Sequence, residues 1–204
     1  MSASWTASRE TFAEAAGWFV SVAAQVGDRW EAPGLGEWDV RALVGHTSRS
    51  LLTVETYLGI PAERVDVGST AAYYRATRAT AAGPEVAQRG RDAGAALGAD
   101  PSAAVARIAA RVPPLLDTTD GTELVTTIAG GMRLSDYLPT RVLELVVHTL
   151  DLATALGLPA EPPARGAAVA LGIVADLAVA DGRAAPLLLA ATGRTGLRPG
   201  FTVL

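Results

Sequence analysis

Four ionisable residues, Arg141, Glu144, His148 and Asp151, recur at intervals of three, four and three. On an α-helix these intervals stack the side chains on one face. Glu144 and His148, one turn apart, can offer a carboxylate oxygen and an imidazole nitrogen to one metal ion, at about 2.0–2.2 Å each. Asp151 can accept a hydrogen bond from the other imidazole nitrogen, or bind substrate. Around them the chain is apolar on most sides, with Leu138, Val142, Leu143, Leu145, Val146 and Leu152. Such a helix belongs in the middle of a core, where unpaired ionisable groups are costly. These four must therefore pair with one another, bind something, or line a cavity.

The only other histidine, His46, shares a helical stripe with Ser50, Thr53 and Tyr57, beside the apolar face of its segment. From there it can point into the same interior. Two imidazoles and one carboxylate from two helices make a three-ligand set with open positions, the pattern of a catalytic rather than a structural metal site. The residues alone leave other readings open. Glu144, His148 and Asp151 also suit a metal-free buried polar network, and His46 a half-exposed surface histidine.

Composition narrows the chemistry. The chain has 204 residues, 50% of them hydrophobic and 19% charged, enough for a buried core. It contains no cysteine, lysine or asparagine. Thiol nucleophiles of the protein's own, disulfides, cysteine-based zinc motifs, lysine Schiff bases and N-glycosylation are thereby excluded. Net charge is −4 with no basic run, which leaves no electrostatic footprint for nucleic acid or an anionic membrane. The serines lack the G-x-S-x-G setting of a hydrolase nucleophile, and Gly130-Gly131 reads as a turn rather than a phosphate cradle. The N-terminus lacks the pattern of a secretory signal, and the apolar run near Ala167–Ala180 is too short to span a bilayer, so a cytoplasmic location is expected.

The elements that must position these residues read mostly as helix. Phe12, Ala15, Ala16, Phe19 and Val22 mark a helix over about 6–26, closed by Gly27. Asp39 caps a second helix, to about Leu58. Alanine-rich helices follow over about 69–82 and 84–97, separated at Gly83-Pro84. Asp100-Pro101 opens another, running to about Leu116 or ending sooner at Pro113-Pro114. A small hairpin is expected around 123–134, and Ser135 is expected to cap the motif helix, which ends at Leu156 before Gly157. The last helix spans about 165–180. The tail from 187 to 204 fits a short helix, a strand or neither. The expected fold is mainly α: an antiparallel four-helix bundle over 1–157, with residues 158–204 as a short C-terminal helix and tail packed on it.

Two segments resemble a known family. Trp38-Asp39-Val40-Arg41-Ala42-Leu43-Val44-Gly45-His46-Thr47 looks like the first metal-ligand segment of the mycothiol-dependent maleylpyruvate isomerase-like proteins, in the DinB-like superfamily of actinobacterial and other bacterial bundles. Arg141-Val142-Leu143-Glu144-Leu145-Val146-Val147-His148-Thr149-Leu150-Asp151-Leu152 is similar to that family's second segment. The resemblance implies a DinB-like four-helix bundle holding a divalent metal, usually zinc, on His46, Glu144 and His148. It also implies activation of water or a thiol, often mycothiol, for transfer or isomerisation. The isomerases proper carry a larger C-terminal α/β domain that adds a basic residue to the active site. Here about fifty residues follow the second segment, so the resemblance covers the bundle; Arg141 and Arg198 stand as candidates to meet an anionic substrate.

The expected function is thus that of a metal-dependent enzyme acting on a small electrophile. Asp151, Arg141 and Tyr57 are its candidate catalytic residues, and Ser50 a further pocket residue. The alternative is a non-catalytic metal- or ligand-binding bundle for stress or sequestration. A homodimer is expected by analogy, and any reacting thiol must come from a small molecule.

Overall fold

A computed structural model describes residues 4–81, 83 and 85–204. Its main elements are α1 (Trp5–Ala23), α2 (Val40–Leu58), α3 (Thr70–Ala81), α4 (Glu85–Ala96), α5 (Pro101–Arg111), the strands β1 (Leu124–Thr127) and β2 (Gly130–Arg133), then α6 (Leu134–Leu156), α7 (Ala164–Ala180) and α8 (Ala184–Ala191). The architecture is a mainly-α bundle with one small antiparallel hairpin. The expected helix break at Gly83-Pro84 falls partly on Pro84, outside the described residues, as do Met1–Ala3 at the N-terminus.

Local chemistry sets the element ends. The Ser4 and Asp39 side chains accept from Ala7 N and Ala42 N, capping α1 and α2. Asp100 caps α5 through Ala103 N, with Pro101 at the first helical position. That helix ends at Arg111, and Pro113-Pro114 turn the chain into a 3-10 helix, Pro113–Thr118. Gly157 closes α6 in the left-handed conformation, at φ +65°. The tail holds one short helix, α8, followed by irregular chain.

Ser135 does not cap α6. The helix starts at Leu134, directly out of β2, and the cap position is Arg133 with no side-chain bond. The freed donors are met by main chain instead, Leu134 N bonding Glu123 O and Ser135 N bonding Gly121 O. The hairpin thereby takes the place of a polar cap and fixes where the motif helix begins.

Helix α6 is central. It packs against α1, α2, α3 and α7. Phe12 and Phe19 of α1, Leu43 and Leu51 of α2, and Leu138, Leu145 and Leu152 of α6 are all essentially inaccessible. Each fully buried side chain of this size contributes about 1.5–3 kcal/mol. Helix α2 lies between α6 and α4. Its approach to α4 is close because both faces carry glycine: a Cβ on Gly45 would sit 2.1 Å from Gly94 N, and one on Gly90 would sit 2.5 Å from the Trp38 ring. Among the described residues, no helix is long and apolar enough to cross a membrane.

Candidate metal centre

Helices α2 and α6 bring His46, Glu144 and His148 together, with one ligand-type atom from each lying within 4.8 Å of the others. The two histidine rings meet edge to face, centroids 4.9 Å apart. His148 Nε2 lies 3.2 Å from Glu144 Oε2, and its Nδ1 lies 3.1 Å from Asp151 Oδ2. The i, i+4 and i, i+3 spacings thus place an imidazole between two carboxylates along one helix.

His46 is set by its neighbours. Trp38 donates from Nε1 to the Ala87 carbonyl at 3.0 Å, which pins the indole between α2 and α4. The His46 ring lies against that indole, centroids 4.4 Å apart. The glycine contacts between α2 and α4 make room for this arrangement. His46 Nδ1 is buried and has no hydrogen-bond partner among the described residues. An orphaned buried nitrogen costs about 1–3 kcal/mol unless something meets it.

Electrostatics separate the two imidazoles. Burial, with the cationic His148 close by, lowers the His46 pKa to about 4. Burial acts the same way on His148, but hydrogen bonds to Asp151 and Glu144 outweigh it and raise the pKa to about 9. For Glu144, burial opposes the charge, yet the His148 hydrogen bond and the Arg141 charge hold the carboxyl down at about 2. At neutral pH the set is a neutral His46 beside a His148 imidazolium clasped by two carboxylates.

A tyrosine cage lies next to it. The Tyr74 hydroxyl is 3.0 Å from Glu144 Oε1 and 3.0 Å from the Thr140 carbonyl. Arg141 is the one charged side chain less than a tenth exposed among the described residues. Its guanidinium carbon sits 5.0 Å from the Tyr137 ring centre and 5.6 Å from that of Tyr73. Its Nε donates to Thr140 Oγ1 at 2.8 Å and its Nη2 to the Tyr73 hydroxyl at 3.4 Å. Tyr137 donates to Thr53 Oγ1 at 2.9 Å and packs 5.4 Å from Tyr57, so both reach the stripe that carries His46. Ser50 is buried on that stripe. Arg198 lies exposed in the tail.

Helical spacing anticipates Glu144, His148 and Asp151 as neighbours, and the structure brings His46, which its stripe lets reach the interior, beside them. Sequence reasoning missed the wall: Trp38, Tyr73, Tyr74 and Tyr137. The only hint in the chain is the scarcity of tyrosine: of four, Tyr57, Tyr73, Tyr74 and Tyr137, all join this cage in the structure.

The donor set suits a divalent ion. Two imidazoles and a carboxylate fit zinc and related metals, and His46 Nδ1 finds no hydrogen-bond partner among the described residues. No curated protein and no solved structure matches the chain. Residues 5–153 match the family described as the mycothiol maleylpyruvate isomerase N-terminal domain. That match covers His46, Glu144 and His148 and most of the chain, and the protein belongs to this family.

Proposed function

We propose that the protein is a metal-dependent enzyme in which His46, Glu144 and His148 hold a divalent ion, zinc by preference, to activate a thiol or water against a small electrophile. The observation that carries this reading is the convergence of one ligand-type atom each from His46, Glu144 and His148 within 4.8 Å of one another. A bound ion there supplies the positive charge that makes a thiol or water acidic enough to react near neutral pH.

The remaining roles belong to the chain itself. Asp151 orients the His148 ring through Nδ1 and fixes which nitrogen faces Glu144. Tyr74 holds Glu144 by its second oxygen. Arg141 keeps a fixed positive charge beside that carboxylate, and Trp38 excludes water from one side of His46. Tyr57 lines the approach to the His46 stripe. With no cysteine in the chain, a reacting thiol is a cosubstrate. Mycothiol is the thiol that the family points to, and the cytoplasm is where it would meet the protein.

Elemental analysis of untagged protein, with a thiol-consumption assay using mycothiol and a panel of electrophiles, tests this. We expect about one equivalent of metal, absent from His148→Ala, and turnover that follows metal content. Less than about a tenth of an equivalent after supplementation would overturn the metal centre. A full equivalent with no thiol or water turnover would replace the enzyme by a metal-binding bundle.

A further inference from the structure

Arg49 stands one turn beyond His46 on α2. It is half-buried, and no ion pair or side-chain hydrogen bond meets its guanidinium among the described residues. It lines an open cleft of about 550 Å³ where α2, α4 and α5 diverge, floored by Gly45, Leu52, Ala93, Leu97 and Ile108. Small-molecule sites run to about 300–1,000 Å³ and pair an apolar floor with a few placed polar groups. His46, Glu144 and His148 do not line the cleft, although Thr53 and Tyr57 of its wall also border the His46 stripe.

The polar groups of its wall have a definite donor and acceptor pattern. Ser48 donates its hydroxyl hydrogen to the Val44 carbonyl at 2.8 Å, and Thr56 donates to Leu52 at 2.9 Å. Both hydroxyls are left with lone pairs that accept. Asp92 accepts from Gln88 Nε2 at 2.7 Å and keeps further acceptor sites. The Arg89 charge is met by Glu85 at 3.3 Å. Arg49 is therefore the wall's uncommitted cation, and Ser48, Thr56 and Asp92 near it offer acceptors. A guanidinium fork matches a carboxylate in two parallel hydrogen bonds, and hydroxyl acceptors match O–H donors.

We propose that this cleft binds a small hydroxy-carboxylate, with its carboxylate on Arg49 and its hydroxyls on Ser48, Thr56 and Asp92. The proposal stands on the cleft alone and does not require the metal reading.

Titration of D-gluconate into the metal-free full chain, followed by calorimetry and by amide NMR shifts, tests it. Acetate, which lacks hydroxyls, and sorbitol, which lacks the charge, serve as comparators. We expect saturable gluconate binding, with both comparators at least about tenfold weaker. Arg49→Gln should weaken gluconate at least about tenfold. Ala96→Phe, an exposed change on the cleft wall, should block it, and His148→Ala should leave it unchanged. Failure to saturate by about 20 mM would overturn the site. So would binding that survives both cleft variants, or that is lost in His148→Ala, which would move the ligand to the metal set.

Discussion

Asp151 reaches nothing but His148 among its side-chain hydrogen bonds in the described structure, yet it decides how that imidazole presents itself. A carboxylate on Nδ1 fixes the ring and raises the basicity of Nε2, and its loss from such sites costs about 10–100-fold in metal affinity. Asp151→Ala should therefore weaken zinc by about that factor in a chelator competition. Asp176→Asn, on the exposed face of α7, should leave it unchanged. Equal affinities in wild type and Asp151→Ala would remove the orienting role. At this scale the sequence is most informative where a residue type is scarce. With only two histidines in the chain, each is informative, and helical spacing ties one to Glu144 and Asp151. The tyrosines carry no such local signal, because their meeting is a tertiary fact. Tyr74 touches Glu144 from 70 residues away, on a helix whose periodicity says nothing about which face of α6 it meets.

Helix α4 is the element that ties packing to the site. Its Gly90 and Gly94 accept the Trp38 ring and the α2 backbone, and the held indole in turn backs His46. Gly45→Ala should be severe, because the new Cβ meets the backbone of α4 at 2.1 Å and neither helix has a flexible side chain there to yield. A loss of about 1–3 kcal/mol is expected in denaturant titration, with weakened metal binding from the displaced His46. Gly17→Ala is the contrasting case. Its added Cβ meets nothing within 4 Å on the exposed face of α1, so removing glycine there should stabilise by about 0.5–1 kcal/mol. Similar values for the two would mean that α2 and α4 are not in close contact. Helix ends were legible because caps are local: Asp39, Asp100 and Gly157 act within their own turn. The start of α6 was not, because its donors are met by Gly121 and Glu123 across the hairpin. The glycine seam was equally hidden, since a glycine in an alanine-rich helix does not announce what approaches it.

For the whole molecule, the two histidines give stability a pH optimum, because their pKa values move apart from a shared ordinary value of 6.5. The His46 pKa falls to about 4 on folding, so between pH 4 and 6.5 the unfolded chain binds more protons. Stability therefore rises with pH across that range. The His148 pKa rises to about 9, so between pH 6.5 and 9 the folded chain holds the extra proton. That contribution is complete below 6.5 and is lost as pH climbs through 9. Each arm is worth on the order of 3 kcal/mol at most. Glu144, held at about 2, loses its share only below 4.5, on the acid side. Exposed pairs such as Arg165–Glu10 add little to either arm. The metal-free protein should then melt highest near pH 6.5 and fall on both sides in chelator. Zinc must displace the His148 proton, so loading should turn the alkaline arm upward, and the gain in midpoint from zinc should grow from pH 6 to 9. Thermal midpoints measured from pH 4 to 9.5, with chelator and with zinc, check both arms. A metal-free midpoint that stays level or rises between pH 6.5 and 9 would show that His148 is not the imidazolium clasp between Glu144 and Asp151.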